Sequence, residues 1–396
     1  MIRFQLFLSI LLSTQTLLAQ RITLNAANQL PGTPVFIQLP NSYSLLDHYE
    51  IVDTKTGKKF AAQLLDSSTI VFLMPAIKTL NPAIFNLQKS KLVRRSLINV
   101  TQSDSGLRVS NNNKPVFFYH TAIVDPPADS PSYYQRSGFI HPLYTPSGVI
   151  LTDDFPVGHV HQHALFAAWT NTTYRNQFID FWNQHSKKGT VTHSKIIEVT
   201  EGPVCARIKL LLHYVSNEFG KILDEKWTIT IYPTKSYFLF DLELDQHNNT
   251  TDTLYINKYH YGGMALRGSK HWNPDDKINY QSPWSLLTSE GYRDSAANHT
   301  KAKWVDVSGT INKSKAGLTV FNHPTNFRHP QPIRVHPAMP YWVYAPMVDS
   351  LFSIAPGASY HAQFRYYVHE GSADEQFIHE LWKNYSAPPK AIIKDK

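Results

Sequence analysis

Short segments of alternating hydrophobic and polar residues, separated by turn residues, make up the first part of the chain. Between residues 21 and 90 the segments VFIQLP, YEIVD and STIVFLMP each have about five residues and end at a proline or a polar turn. Such spacing is typical of short strands joined by tight turns. Residues 20–92 are therefore predicted to form a small β-sandwich-like module, and no acid–base cluster occurs in it.

Longer alternating segments follow. SGLRVSNNNKPVFFYHTAIVDPP predicts two strands around an Asn-rich hairpin turn, and VCARIKLLLHYV, EKWTITIYP and YFLFDLELDQH predict long antiparallel strands. The last of these alternates acidic with apolar residues, which predicts a half-buried strand with a solvated acidic face. Its acidic positions are Asp241, Glu243 and Asp245. Only residues 373–384 have helical spacing, so we expect an all-β protein with a large antiparallel domain at residues 93–396.

The first residues have the pattern of a secretory signal peptide. Arg3 provides a basic start, residues 4–18 are mostly apolar, and Ala19-Gln20 offers a small-residue cleavage point. No later window supplies about 18 consecutive apolar residues, so we expect no transmembrane segment in the mature chain. Residues 1–19 are therefore predicted to be removed, and the mature protein to be secreted or periplasmic.

Composition narrows the class of protein. The chain is 42% hydrophobic, 13% aromatic and 17% charged, which excludes intrinsic disorder and is typical of many sugar-handling β proteins. The net charge is +8 with neutral histidines, but the basic residues are scattered, so we expect no nucleic-acid partner. Cys205 is the single cysteine, which excludes an internal disulfide and a cysteine-based metal site.

The densest group of titratable residues among aromatic ones lies between Ser137 and Thr192. Here His159, His161 and His163 occupy alternate positions, and in an extended chain their side chains share one face. We expect a strand whose first half lines an open pocket and whose second half is buried in the core. Three imidazoles can act as general acid and orienting partner, can ligate a metal ion, or can form a hydrogen-bonded polar strand end.

An acidic pair, Asp153 and Asp154, lies a few residues before these histidines. Paired carboxylates near imidazoles form an acid–base pair in many active sites, whereas an aspartate before Phe155-Pro156 is equally typical of a turn. The chain has no G-x-S-x-G elbow, no P-loop, no H-E-x-x-H and no G-x-G-x-x-G after a strand. Serine-hydrolase, nucleotide-binding and ordinary zinc-protease functions are therefore excluded.

Further candidates come from a proline-bounded loop, a glycine-rich segment, a strand end and the tryptophans. An arginine in a rigid loop can bind a carboxylate or sugar hydroxyls, and glycines allow a ligand to approach the backbone closely. Tryptophan rings can stack on sugar rings or pack in the core. Glu370 ends a predicted strand. The candidate substrate-binding residues are His141, His159, Trp169, Tyr261, Arg267, His323, Arg328 and His329.

Five motifs in order resemble those of the PmoA-like family, secreted or periplasmic bacterial proteins labelled after a methane oxygenase and carried as a domain of unknown function. They are HPLYTPSGVILTDDFP, HVHQHALFAAW, DFWN, YGGMALRG and FNHPTNFRHP, between Ser137 and Glu370. True membrane methane oxygenases need membrane spans, and none follows the signal peptide here. The resemblance instead implies a β-supersandwich similar to galactose-mutarotase-like proteins, in which a concave sheet carries histidines and a carboxylate that act on a sugar.

These observations predict a secreted carbohydrate-active enzyme that acts on a glycan or its fragments by general acid–base chemistry, without a cofactor. Glycoside hydrolysis is the first expectation, with elimination or epimerisation open, since each needs an acid and a base across one ring. Arg328 would anchor an acidic or hydroxyl-rich group. The predicted catalytic residues are His161, His163, Asp154 and Glu370.

Two alternatives remain from the sequence. One is a non-catalytic glycan-binding protein, and the other is an enzyme that depends on a divalent metal bound by His159, His161 and His163. The sequence leaves the glycan and the oligomeric state open.

Overall fold

The computed structural model describes residues 20–24, 29–75 and 82–394. The predicted signal peptide, residues 1–19, lies outside the described residues. The described residues form two units: the first contains those up to Val93 and those from Pro389 onward, and the second spans Arg94–Pro388.

Strands dominate both units. The first are β1 (Gln20–Leu24), β2 (Pro34–Gln38), β3 (Tyr49–Asp53), β4 (Lys59–Leu64), β5 (Thr69–Leu73), β6 (Ala83–Lys89), β7 (Ile98–Gln102), β8 (Gly106–Asn111) and β9 (Lys114–His120). Next come β10 (Phe139–Leu143), β11 (Leu165–Ala168), β12 (Thr172–Tyr174), β13 (Gln177–Ile179), β14 (Gly189–Glu201), β15 (Ala206–Ser216), β16 (Gly220–Tyr232), β17 (Phe238–Asn248) and β18 (Leu254–Ile256). The last are β19 (Gly263–Arg267), β20 (Trp284–Thr288), β21 (Trp304–Ile311), β22 (Ser314–Asn322), β23 (Ile333–Val335), β24 (Tyr341–Tyr344), β25 (Phe352–Ile354), β26 (Ser359–Glu370) and β27 (Ala391–Lys394).

Helical elements in the described residues are short. The α-helix α1 spans Glu375–Ser386. Single-turn 3₁₀ helices lie at Ser132–Tyr134, Gln184–Ser186, Lys270–Trp272, Asp294–Ala297 and Pro346–Val348. No helix in the described part of the chain is long and apolar enough to cross a membrane.

The first unit contains a seven-stranded antiparallel sheet in the order β2-β5-β4-β3-β6-β1-β27. Alternate residues such as Ile22, Ile51 and Phe85 have no solvent exposure and belong to its core. Strand β27 pairs with β1, so the end of the chain belongs to this unit, although the sequence boundaries assigned it to the second domain. Strand pairing between distant segments leaves no local pattern, and for this reason the sequence did not indicate the partner.

The second unit is built from two eight-stranded antiparallel sheets and one four-stranded sheet. The orders are β23-β24-β19-β11-β10-β9-β8-β7, β14-β15-β16-β17-β26-β22-β21-β20 and β13-β12-β18-β25. The two large sheets share one hydrophobic core, in which Phe117 of β9 lies 5.3 Å from Phe240 of β17 between ring centroids. This β-sandwich confirms the predicted all-β class.

Strand β17 differs from its prediction at one acidic residue. Asp241 is buried, and its carboxylate accepts two hydrogen bonds from Arg365 of β26, at 2.6 and 2.8 Å, and one from Tyr232 of β16. The prediction of a solvated acidic face was therefore wrong at this position. The guanidinium of Arg365 on the neighbouring strand compensates the negative charge of the buried carboxylate, which water would otherwise solvate.

Candidate functional site

The alternating histidines lie in a hairpin loop and not along a strand. Asp154 and His163 form an isolated antiparallel bridge, and the chain reverses between them. Gly158 lies in this turn with a φ of 86°, and a Cβ there would come within 2.9 Å of the Met339 side chain. The turn breaks the two-residue period, so the predicted shared face was wrong.

His163 belongs to the core. Its side chain has no solvent exposure and its ring packs against Phe139, Phe155 and Phe166 at 4.8–5.8 Å between centroids. Its Nδ1 lies 2.7 Å from Asp154 Oδ1. Burial lowers the pKa of His163 well below its usual value and raises the pKa of Asp154 to about 7. Both shifts favour uncharged groups.

His159 and His161, by contrast, line an open cleft of about 470 Å³. The cleft also receives side chains from three other segments. The turn after β13 contributes Asp180, Trp182, Asn183 and His185, the segment before β19 contributes Tyr259, His260 and Tyr261, and strands β23–β24 with their connection contribute Arg334, His336 and Tyr341. Segments far apart in the sequence therefore meet beside β11, β19, β24 and β23, which are consecutive strands at one edge of the eight-stranded sheet.

Four imidazoles form a continuous row along this cleft. In the order His336, His159, His161 and His185, neighbouring ring centroids are 5.3, 5.5 and 5.7 Å apart. Burial lowers the pKa of His161 to about 3 and that of His336 to about 4, and it also lowers the pKa of His159. We call these residues the imidazole row. Its members with lowered pKa are uncharged at neutral pH, and a neutral imidazole can both donate and accept a hydrogen bond.

The carboxylate in the cleft wall has a structural task. Asp180 is buried and accepts hydrogen bonds from the backbone N–H groups of Trp182 and Asn183 at 2.9 and 2.7 Å, and from the side chains of Thr170 and Asn183 at 3.0 and 2.8 Å. The Asn183 side chain also exchanges hydrogen bonds with the Tyr261 hydroxyl, at 2.8 and 3.0 Å. This network fixes the turn that presents Trp182 and His185.

Two buried aromatic residues that line the cleft, Trp182 and Tyr341, have polar atoms without a partner. We call this pair the cleft floor; their ring centroids are 5.9 Å apart. Neither Trp182 Nε1 nor the Tyr341 hydroxyl has a hydrogen-bond partner within the described residues, and the same holds for His159 Nδ1. A buried donor without an acceptor costs free energy in a folded protein. A polar ligand in the cleft would supply partners to such groups.

Arg334 adds a positive charge to the cleft wall. Its Nη1 donates to Asn298 Oδ1 at 3.0 Å and to the Val335 carbonyl at 2.8 Å, which fixes the guanidinium. No ion pair among the described residues involves Arg334. Its charge is therefore available to an anionic group bound in the cleft.

Several predicted site residues lie outside the cleft lining. Glu370 is exposed at the end of β26, where it accepts from the Ser147 backbone N–H at 2.9 Å. Arg328 donates to the carbonyls of Pro346, Ser350 and Leu351, and also to the Ser350 hydroxyl. These loop atoms occupy both terminal nitrogens of the guanidinium, so Arg328 fixes its own loop, and its role as a ligand anchor stays a prediction.

The histidines of the same proline-bounded loop also have structural partners. His323 Nδ1 lies 2.7 Å from the Thr325 hydroxyl, and His329 Nδ1 lies 2.7 Å from Asn322 Oδ1. Neither is part of the cleft lining. This loop is therefore separate from the site that contains His159 and His161.

Three other predicted substrate-binding residues do not line the cleft. Trp169 is buried and donates to Gln246 Oε1 at 2.6 Å, so it is a core residue and not a sugar platform. His141 Nδ1 lies 3.0 Å from the Thr152 hydroxyl, and burial lowers its pKa to about 4. Arg267 has no solvent exposure and donates to Oε1 of Gln162, which lines the cleft, at 3.0 Å.

The alternative of a metal bound by three histidines can be compared with the geometry. In the described residues no group of three or more His, Cys, Asp or Glu side chains is placed to hold a metal ion. The alternative set His159, His161 and His163 is divided, because both ring nitrogens of His163 already lie near Asp154 Oδ1 and Gln184 Oε1.

The structure thus keeps His159, His161 and Tyr261 of the predicted site and adds residues that the sequence reasoning missed. These are chiefly Trp182, Asn183, His185, Arg334, His336 and Tyr341. For the first three a signal existed, because they follow closely on the histidines within the stretch from Ser137 to Thr192. For Arg334, His336 and Tyr341 no cluster of similar residues was available in the sequence.

The fold and the cleft together define a class: an antiparallel β-sandwich protein with a histidine-rich polar cleft. Residues 106–383 match the model of a family of unknown function, DUF6807. Because the match covers more than half of the chain, the protein belongs to this family. None of the curated proteins compared with the chain matches it.

Proposed function

We propose that the protein is a secreted carbohydrate-active enzyme that binds a glycan fragment in the cleft and acts on it by proton transfer through the imidazole row. The observation that carries this proposal is the set of buried polar atoms without partners beside the cleft, at Trp182, Tyr341 and His159. Sugar hydroxyls can accept from the two aromatic donors and can donate to or accept from the imidazole.

The shape and chemistry of the cleft fit a sugar better than an apolar ligand. Its walls contain imidazoles and the Tyr261 hydroxyl, which can exchange hydrogen bonds with sugar hydroxyls. Arg334 favours a ring that bears a carboxylate or sulfate. The PmoA-like resemblance and a galactose-mutarotase-like supersandwich agree with this function as fold-level analogy. Secretion follows from the predicted signal peptide.

The proposed reaction is proton transfer at a sugar ring, as in elimination or epimerisation. Glycoside hydrolysis usually employs two carboxyl groups on either side of the bond. Asp180, the carboxylate in the cleft wall, accepts four hydrogen bonds from its own turn and from Thr170. His161 is therefore better placed for proton transfer than a carboxylate pair, and hydrolysis becomes the second choice.

A non-catalytic glycan-binding protein is the second candidate function. The observation that favours it is the pKa of His161, which burial lowers to about 3. An imidazole with so low a pKa is a weak base, while general bases work best with a pKa near the operating pH. Such a ring is well suited to hydrogen bonding alone.

A screen of plant and host polysaccharide fragments, read out by reducing ends and by unsaturated products, tests the proposal. Wild type should form product, and His161→Gln should form it at least about 100-fold more slowly. His323→Gln, which changes a half-buried histidine outside the cleft, is the matched control and should retain activity. Equal product formation by wild type and His161→Gln would exclude the imidazole row from the chemistry.

Two further outcomes separate the alternatives. Fragments bound by wild type without turnover would favour the binding protein. Turnover that is abolished by chelation and restored by a divalent metal would favour the metal-dependent enzyme, and metal analysis of the purified protein provides an independent readout.

A further inference from the structure

A second, smaller pocket adjoins the cleft. It has a volume of about 210 Å³ and lies between the 3₁₀ helix Lys270–Trp272, the start of β20 and the connection from β23 to β24. His336, at one end of the imidazole row, lines both the pocket and the cleft. The two spaces are therefore neighbours that share one side chain.

The walls of the pocket are aromatic and rigid. Trp284 is half-buried and donates from Nε1 to the Ala338 carbonyl at 3.1 Å, which fixes the plane of its indole ring. Tyr280 stands beside it with 41% of its surface exposed, and Pro283 and Pro337 restrict the backbone. A fixed aromatic face that remains partly open to solvent can bind a ring without reorganisation.

One polar group gives the pocket its chemical character. Asp294 lines it, and its Oδ1 accepts from the Leu286 backbone N–H at 2.8 Å. The carboxylate is thereby oriented while its other oxygen has capacity to accept from hydroxyl groups. Aromatic faces together with a carboxylate acceptor suit an uncharged sugar ring, whose C–H groups face the indole and whose hydroxyls donate to the carboxylate. The same carboxylate repels an anionic ring.

We propose that this pocket is a second sugar-binding subsite, which holds the uncharged ring next to the one bound in the cleft. The substrate is then an oligosaccharide of at least two sugars, in which an acidic ring faces Arg334 and its neutral neighbour stacks on Trp284. This inference rests on the proposed function, because the cleft must bind the first ring. It adds to that function a minimum substrate length of two sugars and a defined order of the acidic and the neutral ring.

Binding measurements with a defined series test the subsite. The probes are glucuronic and galacturonic acid, aldouronic acids of two to four sugars that join a uronic acid to neutral sugars, and oligogalacturonides of the same lengths. Wild type should bind the aldouronic disaccharide at least about tenfold more tightly than the free uronic acid. Trp284→Ala should abolish this gain while the affinity for the monosaccharide stays within about twofold.

Three further variants keep the test decisive if Trp284→Ala does not fold. Trp284→Phe retains an aromatic face and should preserve most of the gain. Tyr280→Ala changes an exposed side chain and should reduce the gain in part. Asp294→Asn should improve binding of oligogalacturonides relative to aldouronic acids, because it removes the negative charge that opposes a second acidic ring.

The possible failures are distinguishable. If the acidic monosaccharide binds and Arg334→Ala weakens it, but a second sugar adds no affinity or Trp284→Ala leaves the gain intact, the subsite is wrong and the proposed function stands. If no probe binds, or if binding is unchanged in both His161→Gln and Arg334→Ala, the proposed function fails and the subsite fails with it.

Discussion

Asp154 Oδ1 lies 2.7 Å from His163 Nδ1, at a position where the His163 side chain has no solvent exposure. The other ring nitrogen, Nε2, faces Gln184 Oε1 at 3.3 Å, and the Gln184 amide is oriented by its own donation to the Gln135 carbonyl at 2.8 Å. Nε2 therefore carries a proton. In a neutral ring Nδ1 is then an acceptor, so the proton between the two residues belongs to Asp154, in agreement with its raised pKa.

Replacement of Asp154 tests this assignment. Asp154→Asn should be tolerated, because an amide N–H can replace the carboxyl proton as the donor to Nδ1. Asp154→Ala leaves a buried nitrogen without a partner and should lower the free energy of unfolding by about 1–3 kcal/mol more than Asp154→Asn does. Denaturant unfolding at pH 6 measures both. Equal losses in the two variants would contradict the assignment.

The same pair predicts a pH dependence. The pKa of Asp154 is about 7 in the folded protein, above its value of 3.8 in the unfolded chain, so the folded state binds the extra proton between these pH values. Stability from this group falls as pH rises from about 4 to 7, by at most about 1.4 kcal/mol per pH unit. Unfolding measurements across that range should show the slope in wild type and a smaller one in Asp154→Asn. If the slope of stability against pH were the same in Asp154→Asn as in wild type, the pH dependence would come from other groups.

His161 has an effect of the opposite sign. Its folded-state pKa of about 3 lies below the usual 6.5, so the unfolded chain binds the proton between these values and the folded protein does not. Stability from this residue is present above pH 6.5 and is lost as pH falls toward 3. His161→Gln should lose less stability than wild type between pH 6.5 and 4. NMR titration should find the His161 ring neutral at pH 5, and a ring protonated there would refute the shift.

The cleft floor offers a test in which stability and function change in different directions. Tyr341→Phe removes a hydroxyl without a partner, so the free energy of unfolding should stay the same or rise by up to about 1 kcal/mol. Glycan affinity should fall at the same time. Tyr344→Phe on the same strand is the control: its hydroxyl donates to the Val320 carbonyl at 3.2 Å, so its loss should cost about 1 kcal/mol. Destabilisation by Tyr341→Phe would show that its hydroxyl has a protein partner.

We expect Arg328 to stabilise its loop and Arg334 to bind the ligand, whereas the sequence suggested Arg328 as the anchor. Arg328→Ala removes several hydrogen bonds to the loop at Ser350 and should lower the free energy of unfolding by about 2 kcal/mol without changing affinity for uronic acids. Arg334→Ala should weaken uronic acid binding about tenfold or more with little effect on stability. Calorimetry of both variants provides the readouts. A binding loss confined to Arg328→Ala would restore the original assignment.

Local pattern predicted much of the architecture. Strand β15 shows why: its alternate residues Ala206, Ile208 and Leu210 are buried, and the residues between them are half-buried. A strand between a core and solvent repeats every two residues, and that period is visible without any partner. The helix near the C-terminus is similar, since α1 buries Ile378 and Leu381 at helical spacing and begins at a capping Asp374. The concentration of candidate chemistry between Ser137 and Thr192 was equally visible.

Only the tertiary structure decided which of these side chains act together. His159, His161 and His163 are close in sequence, yet the turn from His159 to Gln162 directs the first two to the cleft and the third to the core. Arg334 and His336 reach the same cleft from more than 140 residues away through the pairing of β23 with β24 and of β24 with β19. Hydrophobic periodicity is a property of a single segment and therefore appears in the sequence. A site depends on which strands pair and on how each loop turns, and those are set by long-range packing.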